Sequence, residues 1–249
     1  MSQQVPLPGR IRAWLRIIAL IGVLAWYILR LKMTSLFVSP DEKLGFRYRR
    51  NYTRVAMRIL GVHLRISGRH ETIPGLYVSN HRSLLDPVIG LHFIDAYIVS
   101  KAEVAAYPLI GYGSSKTGVV FVKRENKESR MATREAIRDL LIAGKAVMIY
   151  PEGTTSDADT TIDFKPGAFE IAAETGVPVV PVAIQYASRS NHWADGPMLP
   201  FFIRKFSNRK IDVSIAFGEP IRDHDPEMLL RKSQSWINAR VSVAASDNQ

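Results

Sequence analysis

From Val62 to Phe217 short apolar runs alternate with longer amphipathic stretches, and no other feature of the sequence constrains the fold as strongly. Candidate strands are Val62–Ser67, Leu76–Ser79, Tyr97–Ser100, Val119–Val122, Ala146–Tyr150, Val179–Gln185 and Ile211–Phe217. Candidate helices lie at Pro87–Phe93, Lys127–Ala143 and Gly167–Thr175, with another near Pro226–Val243. Strands separated by helices require crossover connections, so the expected fold class is α/β, with a largely parallel central sheet flanked by helices. In such sheets functional groups gather at strand carboxyl ends and in the loops beyond them. The chain of 249 residues suits one such domain, expected over residues 62–249, with an appendage over residues 1–61.

The appendage is expected to be a membrane-binding hairpin of two helices. Ile17–Leu29 carries no charge; Arg10, Arg12 and Arg16 precede it, and Arg30 and Lys32 follow. Such a segment rises about 20 Å, short of the roughly 30 Å hydrocarbon layer. A full span would draw in Arg16 or Arg30 with their side chains snorkelling outward, so insertion into one leaflet is favoured. Trp14, Trp26 and Tyr27 near the ends fit a membrane interface better than the alternative, a buried core helix. The second helix is expected from about Asp41 to Leu60. It mixes Lys43, Arg47, Arg49, Arg50, Arg54 and Arg58 with apolar side chains, which suits anionic headgroups above an acyl layer; a solvated basic face is the alternative.

Lys and Arg total 33 against 23 Asp and Glu. The excess seeks an anionic partner: nucleic acid, an acidic membrane or a phosphorylated substrate. No nucleic-acid-binding motif accompanies it, and the apolar N-terminus favours lipid. The absence of cysteine excludes disulfides, thiolate nucleophiles and cysteine-ligated zinc. Gly111–Gly118, GYGSSKTG, looks phosphate-binding. It fails the P-loop pattern at Ser115 and the dinucleotide pattern at Lys116. No G-x-S-x-G or H-E-x-x-H occurs, and neither a metal nor an organic cofactor is expected.

After the strand at Leu76–Ser79, Asn80-His81 follows at once, and Asp86 stands five residues beyond His81 with Pro87 behind it. Helical residues five apart diverge by about 140°, so a His–Asp hydrogen bond needs a bend between them. Pro87 favours one by pushing Asp86 out of the α region. The chemical reading is a dyad in which imidazole removes a proton from an alcohol and the carboxylate orients it. The plainer reading is Asp86 as a helix cap and His81 as a loop histidine.

Four blocks in order carry a resemblance to the glycerolipid acyltransferases typified by 1-acylglycerol-3-phosphate acyltransferase. Asn80-His81-Arg82-Ser83-Leu84-Leu85-Asp86 is similar to that family's His-x4-Asp. Gly118–Arg124 is similar to its Gly-x-x-Phe-x-x-Arg, Tyr150–Thr154 to its Pro-Glu-Gly-Thr, and Val177–Val182 to its proline-bearing apolar run. The resemblance implies His81 as general base, Asp86 as its orienting partner and Arg124 as a clamp on the acceptor's phosphate. It also implies that Glu152, Gly153 and Thr154 help to place the acceptor, with Lys116 and Lys165 adding positive charge. Backbone N–H groups near Gly153 or Asn80 are the expected oxyanion donors. Many members carry Arg directly after Pro-Glu-Gly-Thr; here that position is Thr155, followed by Ser156 and Asp157. The implied reaction is direct transfer of an acyl chain from acyl-CoA or acyl-carrier protein to a lysolipid hydroxyl, at a membrane face turned to the cytoplasm. Lysophosphatidic acid is the first expected acceptor. Thr155 brings in a lyso-aminolipid of the lyso-ornithine kind, and a non-catalytic lipid-binding protein is the remaining alternative.

Overall fold

The computed structural model describes residues 5–38, 41–106, 108–123, 126–193 and 197–241. Helices α1 (Leu7–Ser35) and α2 (Glu42–Leu60) lead into β1 (Val62–Ser67) and β2 (Gly75–Ser79). Then come α3 (Asp86–Phe93), β3 (Tyr97–Lys101), α4 (Pro108–Ser115), β4 (Val119–Val122), α5 (Lys127–Ile142) and β5 (Ala146–Ile149). The chain continues through α6 (Gly167–Thr175), β6 (Val179–Tyr186), α7 (Met198–Phe206), β7 (Ile211–Phe217) and α8 (Pro226–Val241).

The seven strands form one sheet in the order β1-β7-β6-β2-β5-β3-β4. Strands β2 to β6 run in one direction; β7 is antiparallel to β6, and β1 is parallel to β7. The sheet is therefore mixed, with a reversed pair at one edge. Strand β2 lies at its centre, pairing Val78 with Ile149 of β5 and with Pro181 of β6. Every residue of β2 is buried, as expected of a strand covered on both faces.

One face of the sheet packs against Met57 and Leu60 of α2, Ile89 of α3 and Phe206 of α7, with Ala13 of α1 joining them. The other packs against Ile137 and Leu141 of α5, Phe169 of α6 and Leu229 and Ile237 of α8. Burying each such side chain contributes about 1.5–3 kcal/mol. Local signals fix the helix ends. Asp41 accepts from the N–H of Leu44 at the start of α2, and Gly61 closes that helix in the left-handed conformation at φ +69°.

The N-terminal helix departs from the sequence expectation. It has 29 residues, about 43 Å at a helical rise, because its charged flanks remain helical. Arg16 does not snorkel toward a lipid surface. Its guanidinium donates to the carbonyls of Phe206 (2.9 Å), Asn208 and Arg209 (3.0 Å), while Arg12 donates to that of Ser207 (2.6 Å). These carbonyls close the C-terminus of α7, where a cation also suits the helix dipole. Arg49 likewise turns inward from α2, donating to the carbonyls of Ile94, Ala96 and Thr117, rather than facing headgroups. The outward face of α1 is apolar along its length, with Leu7, Ile11, Leu15, Ile18, Trp26 and Leu29 all exposed.

Candidate active site

The carboxyl end of β2 delivers His81, and that of the neighbouring β5 delivers Tyr150 and Glu152. The loop from His81 to Leu85 bends sharply into α3, whose first residue is Asp86. That bend brings Nδ1 of His81 within 2.8 Å of Oδ2 of Asp86. The same oxygen accepts the backbone N–H groups of Arg82 (2.6 Å) and Ser83 (2.7 Å), and Oδ1 accepts the hydroxyl of Tyr186 (2.6 Å). Asp86 is wholly enclosed, and its oxygens face back to the loop instead of capping α3. Four donors thus fix this carboxylate.

With Asp86 as an acceptor, Nδ1 of His81 carries the proton and Nε2 is left with its lone pair. That tautomer follows from the hydrogen-bond network. Nε2 has no protein partner among the described residues, and the imidazole is 16% exposed. Its inner face stacks on the ring of Tyr150 at 4.3 Å between centroids and 22° between planes.

Glu152 stands behind the histidine. Its Oε1 accepts the N–H of His81 (2.7 Å); Oε2 accepts the N–H of Ile162 (3.1 Å) and pairs with Arg82 (3.3 Å). The Glu152 side chain has no exposed surface. Burial pushes its carboxyl above the usual range, opposed by the His81 N–H and the Arg82 guanidinium. The resemblance assigned Glu152 to acceptor placement. In the structure it is enclosed and organises the histidine loop. Asn80 does similar work: its amide donates to the Ile184 carbonyl and accepts the Ile184 N–H, both at 2.8 Å, tying the loop to β6. Ser156 N–H donates to the His81 carbonyl at 3.0 Å, which laces the two loops together.

The remaining expected residues divide by position. Gly153 adopts φ +72°, open to glycine, and a β-carbon there would lie 2.6 Å from Nζ of Lys165. Lys165 and Thr154 are exposed, next to the site. The Gly153 N–H, an expected oxyanion donor, closes a turn onto the Tyr150 carbonyl at 3.0 Å, and the His81 N–H beside Asn80 is taken by Glu152 at 2.7 Å. Lys116 is not part of the site. It precedes β4, at the amino end of the parallel strands, whereas His81 follows β2 at their carboxyl end. Arg124 lies outside the described residues.

Tyr186 and Tyr150 escaped the sequence reading. Burial, then the Asp86 charge, raises both phenols well above their usual range, so both remain protonated. Their only sequence signal is an aromatic hydroxyl at a strand's end. His192 also sits close, its ring 6.0 Å from that of Tyr186. Burial and the Arg82 charge hold its imidazole below the usual range.

An acyltransferase family model matches residues 63–185, the span that carries all of these groups but Tyr186 and His192. A lyso-ornithine lipid O-acyltransferase of Pseudomonas aeruginosa is 30% identical over 92% of this chain and 90% of its own length. Another from Brucella abortus is 30% identical over 78% and 81%. A chloroplastic 1-acyl-sn-glycerol-3-phosphate acyltransferase of Brassica napus is 33% identical over 69% of this chain, which spans 48% of that relative. The crystal structure of the 1-acyl-sn-glycerophosphate acyltransferase of Thermotoga maritima superposes with a TM-score of 0.74 over 94% of this chain and 97% of that one, at 20% identity, and shares the fold.

Proposed function

Because this chain belongs to the glycerolipid acyltransferase family, we propose that it acylates the free hydroxyl of a lysolipid by general base catalysis at His81. The supporting observation is the 2.8 Å contact between His81 and the enclosed Asp86, with Nε2 left free at the carboxyl end of β2. Nε2 takes the proton of the acceptor hydroxyl as its oxygen attacks the carbonyl carbon of an acyl thioester. The tetrahedral intermediate collapses with cleavage of the carbon–sulfur bond, and the departing thiolate takes the proton from the imidazolium. Asp86 holds the tautomer throughout and stabilises the cation, and base catalysis of this kind contributes on the order of 10²–10⁴ in rate. The donor is acyl-CoA or acyl-carrier protein, and no metal or organic cofactor enters the steps.

The preferred acceptor is a lyso-aminolipid of the lyso-ornithine kind, whose headgroup carries an ammonium beside its carboxylate. Thr155 replaces the arginine that a phosphate would meet, the exposed Asp157 lies two residues on, and the relatives matched along most of their length support the same headgroup. A second reading, 1-acylglycerol-3-phosphate, is favoured by Lys165 beside Gly153. The helix α1 docks on one leaflet of a cytoplasm-facing membrane with anionic lipids through its apolar outer stripe.

The test is radiolabelled acyl transfer from both donors to a panel of lysolipids. Labelling of the lyso-aminolipid that vanishes in H81A is expected. Labelling of lysophosphatidic acid alone would move the headgroup assignment, and a fully active, folded H81A would sink the mechanism.

A further inference from the structure

Tyr150 supplies the face on which the catalytic imidazole lies, yet its own hydroxyl does nothing visible. The phenolic oxygen is buried with no hydrogen-bond partner among the described residues. It points toward α3, 3.6 Å from where a β-carbon on Gly90 would stand. An unpaired buried hydroxyl is a net penalty, so the residue's worth lies in the ring. That ring stacks on His81 at 4.3 Å and 22°.

We propose that Tyr150 is a positioning residue for His81, acting through its aromatic face alone. The bond to Asp86 anchors one corner of the imidazole but leaves it free to swivel about the Nδ1–Oδ2 direction. The Tyr150 ring removes that freedom on one side and aims Nε2 outward. When Nε2 takes the acceptor's proton, the imidazolium forms against a π face, where a cation is attracted by the ring quadrupole. The interaction strengthens as charge develops, so it acts on kcat more than on acceptor binding. The inference rests on His81 serving as the base.

The experiment compares Y150F and Y150L with the wild-type protein and H81A, on the acceptor and donor that the wild type labels best. Y150F keeps the ring and should hold kcat within about twofold, whereas Y150L should lower kcat about tenfold with KM unchanged. NMR of the His81 ring protons should show an upfield ring-current shift in the wild type and in Y150F that is lost in Y150L. A folded Y150L with wild-type kcat overturns the proposal, as does a Y150F as impaired as Y150L, because the hydroxyl would then be the active part. Should Y150L not fold, the Y150F rate and the shift in the wild type decide the matter. An inactive H81A beside an unaffected Y150L removes Tyr150 alone; an active H81A removes the base itself, and this inference with it.

Discussion

Asp86 accepts from His81, two backbone N–H groups and Tyr186, and shares none of its surface with solvent. Its replacement by Asn keeps the shape but puts an amide where donors converge. D86N should therefore lower kcat by about 10² or more, with a much smaller change in acceptor KM, measured in steady-state transfer assays. Y186F removes one of the four donors and leaves the loop intact. Its kcat should fall only several-fold, consistent with one hydrogen bond of about 1 kcal/mol. Glu152 yields a prediction in pH. Its carboxyl is raised in the folded state by burial, so the folded protein holds that proton more tightly than the unfolded chain. The resulting stabilisation is full below the unfolded value, about 4.3, and is lost as pH rises through the folded one. Urea unfolding of the wild type and E152Q from pH 4 to 7 should show the wild type's relative stability declining as pH rises. A constant difference would mean that Glu152 does not titrate in that range.

Among the elements, strands β1, β4 and β7 and helix α6 coincide with the ranges expected from apolar period and turn residues. Those segments carry their own instructions, such as alternation in β7 and glycine after α6. Helices α4 and α7 were missed for a physical reason. Gly111 and Gly113 disguise α4 as a phosphate loop, and Pro200 in the first turn of α7, where proline is tolerated, disguises that helix as irregular. In sequence the basic pair Arg204-Lys205 reads as a headgroup contact or a solvated loop. Lys205 is in fact buried in α7, its ammonium lowered to about 8 by burial and by Arg204. The reach of α1 was also illegible, because an arginine that satisfies backbone carbonyls of a distant helix looks, in sequence, like one that seeks headgroups. R16A leaves the carbonyls of Phe206, Asn208 and Arg209 without that donor. Stability should fall by about 1–3 kcal/mol in urea, and R16K, lacking the planar fork, should recover only part of it.

For the whole molecule, the apolar stripe of α1 points away from the domain that holds its inner face. On the proposed docking, a helix gripped along one side and apolar on the other lies on the bilayer. A charge in the stripe, as in I18E, should reduce sedimentation with vesicles containing anionic lipid while leaving the far-UV spectrum and Tm nearly unchanged. Equal vesicle binding by I18E would remove α1 from the interface. The candidate site was legible where chemistry is dense in sequence: His81 and Asp86 lie within one loop, and Gly153 and Lys165 lie beside it. It was illegible where the partner arrives from another strand. Tyr186 reaches Asp86 across 100 positions of chain, and nothing near either residue announces the meeting.

The carbonyls at the end of α7 are served by guanidinium groups from the opposite end of the polypeptide. The first helix is therefore joined to the seventh through main-chain acceptors, so the join depends on Arg12, Arg16 and the path of that turn and not on the side chains along it. A chimera that borrows its N-terminal helix from a relative should keep the join wherever that helix carries arginine at the positions of Arg12 and Arg16, whichever parent supplies α7.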